Sequence, residues 1–170
     1  LQAIQARGGR FVVIDPRRSE TAELANEHVF IKPGTDAFLL LAILNVLFER
    51  GGISLGHLEN LIVGLDDVKQ AVADYTPELA EKMTGVDGSI IRRLAGEFSQ
   101  AKSAVCYGRM GVSTQAFGSV CQWAIHLINI VTGNLDREGG AMVPSSAVGY
   151  VQPGEPSPGH LGRYHTRVSG

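Results

Sequence analysis

The sequence predicts an α/β fold in which a parallel sheet is flanked by helices, and three observations support this. Short apolar runs without polar alternation occur as "FVVI" at 11–14, "HVFI" at 28–31 and "SAVCY" at 103–107, which is typical of parallel strands covered on both faces. Helical patterns separate these runs along the chain, and strands that alternate with helices favour a parallel sheet. Glycine and proline fall between the segments, which gives the elements defined ends.

The helices are predicted from apolar periodicity and from residues that begin or end helices. A first helix ends before Gly8, and Ser19 is a candidate N-cap for a short second helix. The apolar stretch over 35–50 predicts a buried helix of roughly four turns, begun by Thr35 or Asp36. Further helices are predicted near 55–62, 65–74, 77–83, 87–101 and 115–132.

The composition fits one globular domain and argues against several functions. Of 170 residues, 44% are hydrophobic and 19% are charged, and the net charge is −2, so a core can form and nothing indicates binding to nucleic acid or an anionic membrane. The longest apolar stretch, 37–48, is shorter than the roughly 20 residues of a membrane span. Cys106 and Cys121 form no CxxC pair, so neither a disulfide framework nor a cysteine metal site is expected.

The two ends of the chain differ from its middle. The first residue is Leu1 rather than Met, as if the chain began partway through a helix, and we therefore expect a fragment. The opening residues lack the apolar core of a secretory signal, and the compartment, cytoplasmic or periplasmic, is left open. The domain is expected over 1–143, and the Pro/Gly-rich residues 144–170 are expected to form an extended tail or linker.

Polar residues follow each predicted strand. The three junctions are "DPRR" at 15–18, "PGTD" at 33–36 and "GRMG" at 108–111. The carboxyl ends of parallel strands meet at one edge of a sheet, where ligands of such folds bind. The sequence therefore predicts a ligand site built from these three loops.

Asp15 has two readings of about equal weight. Its carboxylate can accept both hydroxyls of a ribose, or it can cap a turn or pair with Arg17 or Arg18 at the surface. Arg18 can grip a phosphate with two hydrogen bonds, although a solvated arginine is the commoner case.

Asp36 and the 108–111 loop also have alternatives. Asp36 can cap a helix, which is the safer reading, or accept the ring N–H and amino group of a guanine side by side. Gly108 and Gly111 bracket a loop that can present backbone N–H groups to a phosphate. That spacing is weak, and GxGxxG occurs nowhere in the chain, so a first phosphate-binding βα unit is expected upstream of residue 1.

Four segments together resemble a known family. "VVIDPRRSETA", "KPGTDAFLLLAILNVL", "YGRMGVSTQAFGS" and "TGNLDREGGA" occur in that order. They resemble the third domain of the molybdopterin oxidoreductases of the dimethyl sulfoxide reductase superfamily, which includes formate dehydrogenases and nitrate reductases. The resemblance covers about 1–143 and implies a Rossmann-like domain that holds the guanosine end of one of two molybdopterin guanine dinucleotides.

The resemblance assigns roles to residues at both ends of that cofactor. The acid after the first strand approaches the ribose or guanine, and the "GTD" element recognises guanine; the implied nucleoside contacts are Asp15, Arg17, Arg18, Gly34, Thr35 and Asp36. The "GRMGVSTQ" loop approaches the pterin or pyrophosphate, and Thr114 stands where the family often has Gln, with Gln115 one residue later. The implied contacts at that end are Gly108, Met110, Gly111, Thr114, Gln115 and Asn134.

Much of such an enzyme is missing from the chain. The resemblance implies molybdenum or tungsten in the full enzyme and a 4Fe–4S cluster elsewhere, but no Cys-rich motif, metal-ligand segment or C-terminal β-barrel occurs here. No catalytic residue or metal ligand is therefore assigned, and the segment is not expected to catalyse alone. Its implied partners are the remaining domains and electron-transfer subunits. Two alternatives stay open, a nicotinamide-type nucleotide-binding module and a non-catalytic scaffold or interaction domain.

Overall fold

The computed structural model describes residues 1–142 and shows an α/β arrangement in which a small parallel sheet is flanked by helices. Within these residues the strands are β1 (Val12–Ile14) and β2 (Glu27–Val29), and a 3₁₀ turn spans Gly56–Leu58. The helices are α1 (Gln2–Ala6), α2 (Glu20–Leu24), α3 (Asp36–Glu49), α4 (Leu65–Val72), α5 (Pro77–Thr84), α6 (Gly88–Gln100), α7 (Met110–Ser113) and α8 (Gly118–Val131). The predicted tail, 144–170, lies outside the described residues, and the boundary at 143 stays a prediction.

The predicted parallel sheet is confirmed for its first two strands. β1 pairs with β2 in parallel, with Val13 opposite His28. Helix α2 makes the crossover between them, and the Ser19 hydroxyl accepts a hydrogen bond from the Ala22 N–H at 3.3 Å, as expected for an N-cap. The order strand, helix, parallel strand is the unit on which an α/β sheet is built.

The prediction of a third strand at 103–107 was wrong for the described structure, because the segment pairs with side chains instead of a strand. The Ala104 N–H donates to Asn134 Oδ1, and Cys106 exchanges hydrogen bonds with the side chain of Asn129. Val105 and Tyr107 make no backbone hydrogen bond with a described residue, and both side chains are exposed. The segment therefore has one satisfied edge and one open edge.

Helix α3 is the centre of the core, which explains why its sequence is apolar all round. It packs against α4, α5, α6 and α8, and its residues from Leu39 to Leu47 are all buried. The one polar residue in that run, Asn45, donates from Nδ2 to the carbonyl oxygens of Val72 and Ala73 at 3.2 and 3.1 Å. These carbonyls lie at the end of α4 and need partners there, so Asn45 joins α3 to α4 in the core.

The surface of the sheet is joined to α6 by an ion-pair network. Arg10 pairs with Glu27 and with Glu97, and Arg93 pairs with the same two carboxylates at 2.5 and 2.9 Å. The hydrogen bonds that Arg93 donates to Glu97 and Glu27 raise the pKa of Arg93, and the hydrogen bond from Arg93 lowers the pKa of Glu97. The two cations and two anions balance one another, which fixes α6 beside β2.

The helix predicted over 115–132 is present as α8 but begins at Gly118, and the short helix α7 lies in the segment that was predicted as a loop. The backbone of Phe117 is left-handed, with φ of 61°, which no α-helix can contain. Helix α8 therefore begins after Phe117, at Gly118, and residues 114–117 separate it from α7. Among residues 1–142, the helices are all too short or too polar to cross a membrane.

Candidate functional site

The second and third predicted loops meet in the structure. Gln115 lies between α7 and α8, and Asp36 is the first residue of α3. The Gln115 Nε2 group donates to Asp36 Oδ2 at 2.9 Å, although 79 positions separate the two residues. The other carboxylate oxygen, Oδ1, receives no hydrogen bond from a described residue. The start of the central helix and the glycine-containing loop thus share one polar contact.

The hydrogen bonds of Gln115 fix the orientation of its amide. Nε2 also donates to the Gly111 carbonyl at 3.0 Å, and since both neighbours can only accept, the nitrogen must face them. Oε1 is buried and has no partner among the described residues. A Cβ built on Gly34 would lie 3.7 Å from Oε1, and the positive φ of Gly34, 80°, suits glycine.

Thr35 shapes the turn before α3 and does not cap the helix with its side chain. Its hydroxyl donates to the Lys32 carbonyl at 2.7 Å, and its N–H donates to the same oxygen. Thr35 occupies the N-cap position, but its side chain makes no capping hydrogen bond. Asp36, in the first turn, supplies the negative charge that favours a helix start.

The third loop is packed tightly at its base and open at its tip. A Cβ on Gly108 would approach side-chain carbons of Val112 and Ile125 to 2.6 Å, so only glycine fits there without movement. Gln122 on α8 donates to the Gly108 carbonyl at 3.3 Å and to the Ser113 hydroxyl at 2.8 Å. Met110 is 67% exposed at the tip. The loop therefore presents Met110 from a fixed base.

Thr114 bonds within the loop. Its hydroxyl donates to the Met110 carbonyl at 2.7 Å, while the next residue, Gln115, reaches Asp36. The side chain that contacts the second loop is thus Gln115, which lies one residue after the position at which the family often has Gln.

In the first loop Asp15 caps a turn, which was one of the two roles that the sequence offered for it. Asp15 Oδ1 accepts the Arg17 N–H at 2.7 Å, and the ring Nε2 of His28 bonds the Asp15 carbonyl at 3.0 Å. Arg17 and Arg18 are exposed and form no ion pair with a described residue. No described contact joins this loop to Asp36 or Gln115, so its part in a shared site stays a prediction.

Asn134 lies inside the protein, with its polar atoms used there. It is buried, its Oδ1 accepts the Ala104 N–H at 3.0 Å, and its Nδ2 donates to the Thr132 hydroxyl at 3.0 Å. These contacts hold the "TGN" turn against the 104–107 segment. A contact of Asn134 with a cofactor stays a prediction.

The pKa of the Cys121 thiol on α8 responds to Asp36, although from the sequence Cys121 was considered only for disulfide or metal binding. Burial raises the pKa of Cys121, and the charge of Asp36 raises it further. Cys121 is fully buried on α8. Helical periodicity marks Cys121 as a core position but does not indicate that the charge of Asp36 acts on its pKa, which depends on how α3 and α8 pack.

Metal binding has no support in the described part of the chain. No three histidine, cysteine or acidic side chains within residues 1–142 lie close enough together to hold an ion.

Several known proteins are similar to the chain. The F420-dependent formate dehydrogenase subunit alpha of Methanocaldococcus jannaschii is 32% identical over 146 residues, which cover 86% of this chain and 22% of that protein. Formate dehydrogenase H of Escherichia coli is 32% identical, covering 85% of this chain and 20% of that protein. The arsenate respiratory reductase molybdopterin-containing subunit ArrA of Chrysiogenes arsenatis is 34% identical, with coverage of 82% and 19%.

The fold is also similar to that of a solved structure. The acetylene hydratase from Pelobacter acetylenicus matches with a TM-score of 0.75 and 28% identity, over 83% of this chain and 19% of that chain. No family model matches the chain. The chain spans about a fifth of the length of the curated relatives it matches.

Proposed function

Because the chain belongs to the dimethyl sulfoxide reductase superfamily of molybdopterin oxidoreductases, we propose that it holds the guanosine end of a molybdopterin guanine dinucleotide. The parent protein in this proposal is a molybdenum or tungsten oxidoreductase, of which this chain is a cofactor-binding part. When bound, the cofactor supplies the metal at which a substrate is oxidised or reduced. The residues of this chain bind and orient the far end of that cofactor.

The observation that carries the proposal is the Asp36 carboxylate at the meeting point of two loops. Guanine presents a ring N–H and an amino group side by side, and a carboxylate can accept both through charge-assisted hydrogen bonds. Asp36 is only half-buried, and Oδ1 has no described partner. Adenine presents an acceptor at the corresponding ring nitrogen, which would face a carboxylate oxygen. The site therefore favours guanine over adenine.

The other loops offer contacts for the rest of the nucleotide. The second oxygen of Asp15, Oδ2, makes no hydrogen bond with a described residue and can accept a ribose hydroxyl. The exposed guanidinium groups of Arg17 and Arg18 can pair with phosphate oxygens. Gly111 and Met110 lie on the loop that Gln115 connects to Asp36, which suits a cofactor that runs from the base towards the pterin.

The open edges of the sheet support the proposal that the chain is part of a larger domain. In β1, the backbone groups of Val12 and Ile14 face away from β2 and pair with no described strand. The backbone groups of Val105 and Tyr107 pair with no described strand either. We propose that a further strand of the parent protein, carrying the first phosphate loop, pairs with these edges. Such a strand would complete the parallel sheet and the pocket beside it.

The experiment is calorimetric titration of the 170-residue chain with GMP, AMP and NAD⁺. We expect GMP to bind best, and Asp36→Ala to weaken its binding about 10- to 100-fold, the worth of one charge-assisted hydrogen bond or more. Asp66→Ala is the control, since Asp66, like Asp36, is an acid in the first turn of a helix, but it lies exposed on α4. Equal binding of GMP and AMP, preference for NAD⁺, or no nucleotide binding would contradict the proposal.

A further inference from the structure

We propose that Gln115 is a positioning residue that fixes the Asp36 carboxylate and thereby decides which base the site accepts. The inference rests on the proposed function, because it concerns the same carboxylate. Gln115 is the described side chain that donates a hydrogen bond to Asp36, and it comes from a loop that is far away in the sequence. Asp36 is thus held by tertiary structure as well as by its place on α3.

Only the nitrogen of the Gln115 amide makes hydrogen bonds with described residues. Its nitrogen donates to Asp36 Oδ2 and to the Gly111 carbonyl, at 2.9 and 3.0 Å, whereas its buried oxygen has no described partner. A glutamine that served only to stabilise itself in the interior would have both ends paired. The arrangement instead directs the donor at the carboxylate and leaves the acceptor unsatisfied.

The consequence for Asp36 is a defined rotation of its carboxylate. A carboxylate on a half-buried side chain can turn about its last torsion, which has broad energy wells. The bond to Oδ2 limits that rotation and leaves Oδ1 as the oxygen with no described partner. Both oxygens can then face the ring N–H and the amino group of a guanine, because Oδ2 has a second lone pair.

The 108–113 loop holds Gln115 in place. The Gly111 carbonyl receives the second hydrogen bond of Nε2, and Gly108, at the base of the same loop, is packed against Val112 and Ile125. Thr114 donates to the Met110 carbonyl within the loop, so the contact with Asp36 is made by Gln115. Hydrogen bonds of Gln115 therefore connect Asp36 to the loop that is proposed to approach the pterin.

The variant Asp36→Asn gives a change in base preference that would not occur if Gln115 only stabilised the fold. In Asp36→Asn, the Gln115 donor requires an acceptor at the Oδ2 position, so the side-chain oxygen stays there and the nitrogen replaces Oδ1. The site then presents one acceptor and one donor. Xanthine has an oxygen where guanine has its amino group, so Asp36→Asn should prefer XMP over GMP as long as Gln115 fixes the amide.

The test is calorimetry on the 170-residue chain with GMP, IMP and XMP, with folding of each variant checked by circular dichroism. We expect the unmodified chain to prefer GMP over IMP, which lacks the amino group, by about tenfold or more. Gln115→Ala should reduce that preference to about threefold or less. Gln115→Met, which keeps the length of the side chain but has no donor, should do the same and guards against a packing defect in Gln115→Ala.

The second arm uses the asparagine background. Asp36→Asn should prefer XMP, and adding Gln115→Met should abolish that preference, because the freed amide can turn either way. Gln122→Ala is the matched control, since Gln122 braces the same loop through Gly108 and Ser113 without a described contact to Asp36. We expect it to weaken both base preferences less than Gln115→Met does, because the Gln115 donor is still present.

The outcomes separate this inference from the proposed function. Absence of a guanine preference in the unmodified chain overturns the proposed function and, with it, the inference. A guanine preference that survives in both Gln115 variants overturns the inference alone, as does an Asp36→Asn variant that never favours XMP. Loss of the preference in Gln122→Ala to the same extent as in Gln115→Met would also overturn it, because the loop and not the donor would then be responsible.

Discussion

Asn129 satisfies both backbone polar groups of Cys106. Asn129 Oδ1 accepts the Cys106 N–H at 2.9 Å, and Asn129 Nδ2 donates to the Cys106 carbonyl at 2.8 Å. The same Nδ2 donates to the Ile125 carbonyl one turn earlier in α8. A side-chain amide carries the same donor and acceptor as a peptide group, so a buried asparagine on a helix can take the place of a neighbouring strand.

Replacement of Asn129 should therefore destabilise the fold. In Asn129→Ala the Cys106 groups lose their partners in a partly buried place, and we expect the free energy of unfolding to fall by about 2–4 kcal/mol. Urea denaturation followed by circular dichroism measures this. His126→Ala, at an exposed position of the same helix, should change stability by less than about 0.5 kcal/mol. Similar losses in the two variants would show that the Asn129 bonds contribute little.

Two glycines in helices should respond in opposite directions to alanine. A Cβ on Gly118 would lie 2.2 Å from the Ser113 carbonyl oxygen, whereas a Cβ on Gly96 meets nothing within 4 Å. We expect Gly118→Ala to cost about 1–3 kcal/mol through overpacking. Gly96→Ala should gain about 0.5–1 kcal/mol from helix propensity. Thermal or urea unfolding gives both signs, and a stabilised Gly118→Ala variant would refute the tight contact between α7 and α8.

Cys106 should be unreactive in the folded chain. Burial raises the pKa of its thiol to about 12, so its thiolate fraction at pH 8 is about a thousandfold below that of an ordinary cysteine. Alkylation by iodoacetamide, followed by mass spectrometry of the peptides, should label Cys106 slowly in buffer and rapidly in urea. Labelling of Cys106 in buffer at the rate of an unfolded control would show that the 104–107 segment is open.

Stability should fall at acid pH in a way that depends on Glu97. The hydrogen bond from Arg93 lowers the pKa of Glu97 below its ordinary value of 4.5, so the folded state binds fewer protons than the unfolded state in that range. The contribution of Glu97 is therefore present above about pH 4.5 and is lost as the pH falls through the lower, folded-state pKa.

The test compares urea midpoints of Glu97→Gln and the unmodified chain between pH 7 and pH 3. The variant should be less stable at pH 7, and the gap should close towards pH 3. Because the network is partly exposed, added salt should also narrow the gap at pH 7. Glu59→Gln, at an exposed acid without a described ion pair, serves as the control. A difference that is constant across this pH range would exclude the Arg93–Glu97 pair as its source.

Local sequence was sufficient for most helices and for the first βαβ unit. Ser19 and Thr76 cap their helices as the capping rules require, and Pro77 stands at a first helical turn. The apolar run of α3 marked it as buried, since few other positions can bear so many apolar side chains. The segment 103–107 could not be told from a strand, because an extended segment held by asparagine side chains can carry the same short apolar run.

The candidate site was only partly predictable for the same physical reason. The residues Asp36 and Gln115 could each be named from the sequence, but no local rule could indicate that one donates to the other, since the hydrogen bond depends on how α3 and α8 pack. The left-handed turn at Phe117, two residues after Gln115, fell within the first residues of the helix predicted over 115–132.

The sequence by itself determined the fold class, the central helix and the family, because these follow from periodicity, end signals and residues in order along the chain. Only the tertiary structure decided which of the polar loop residues meet. It brought Gln115 to Asp36 and turned Asn134 inward to Ala104. Side-chain hydrogen bonds between distant segments depend on the relative placement of packed helices to within a fraction of an ångström, and that placement is a property of the whole core.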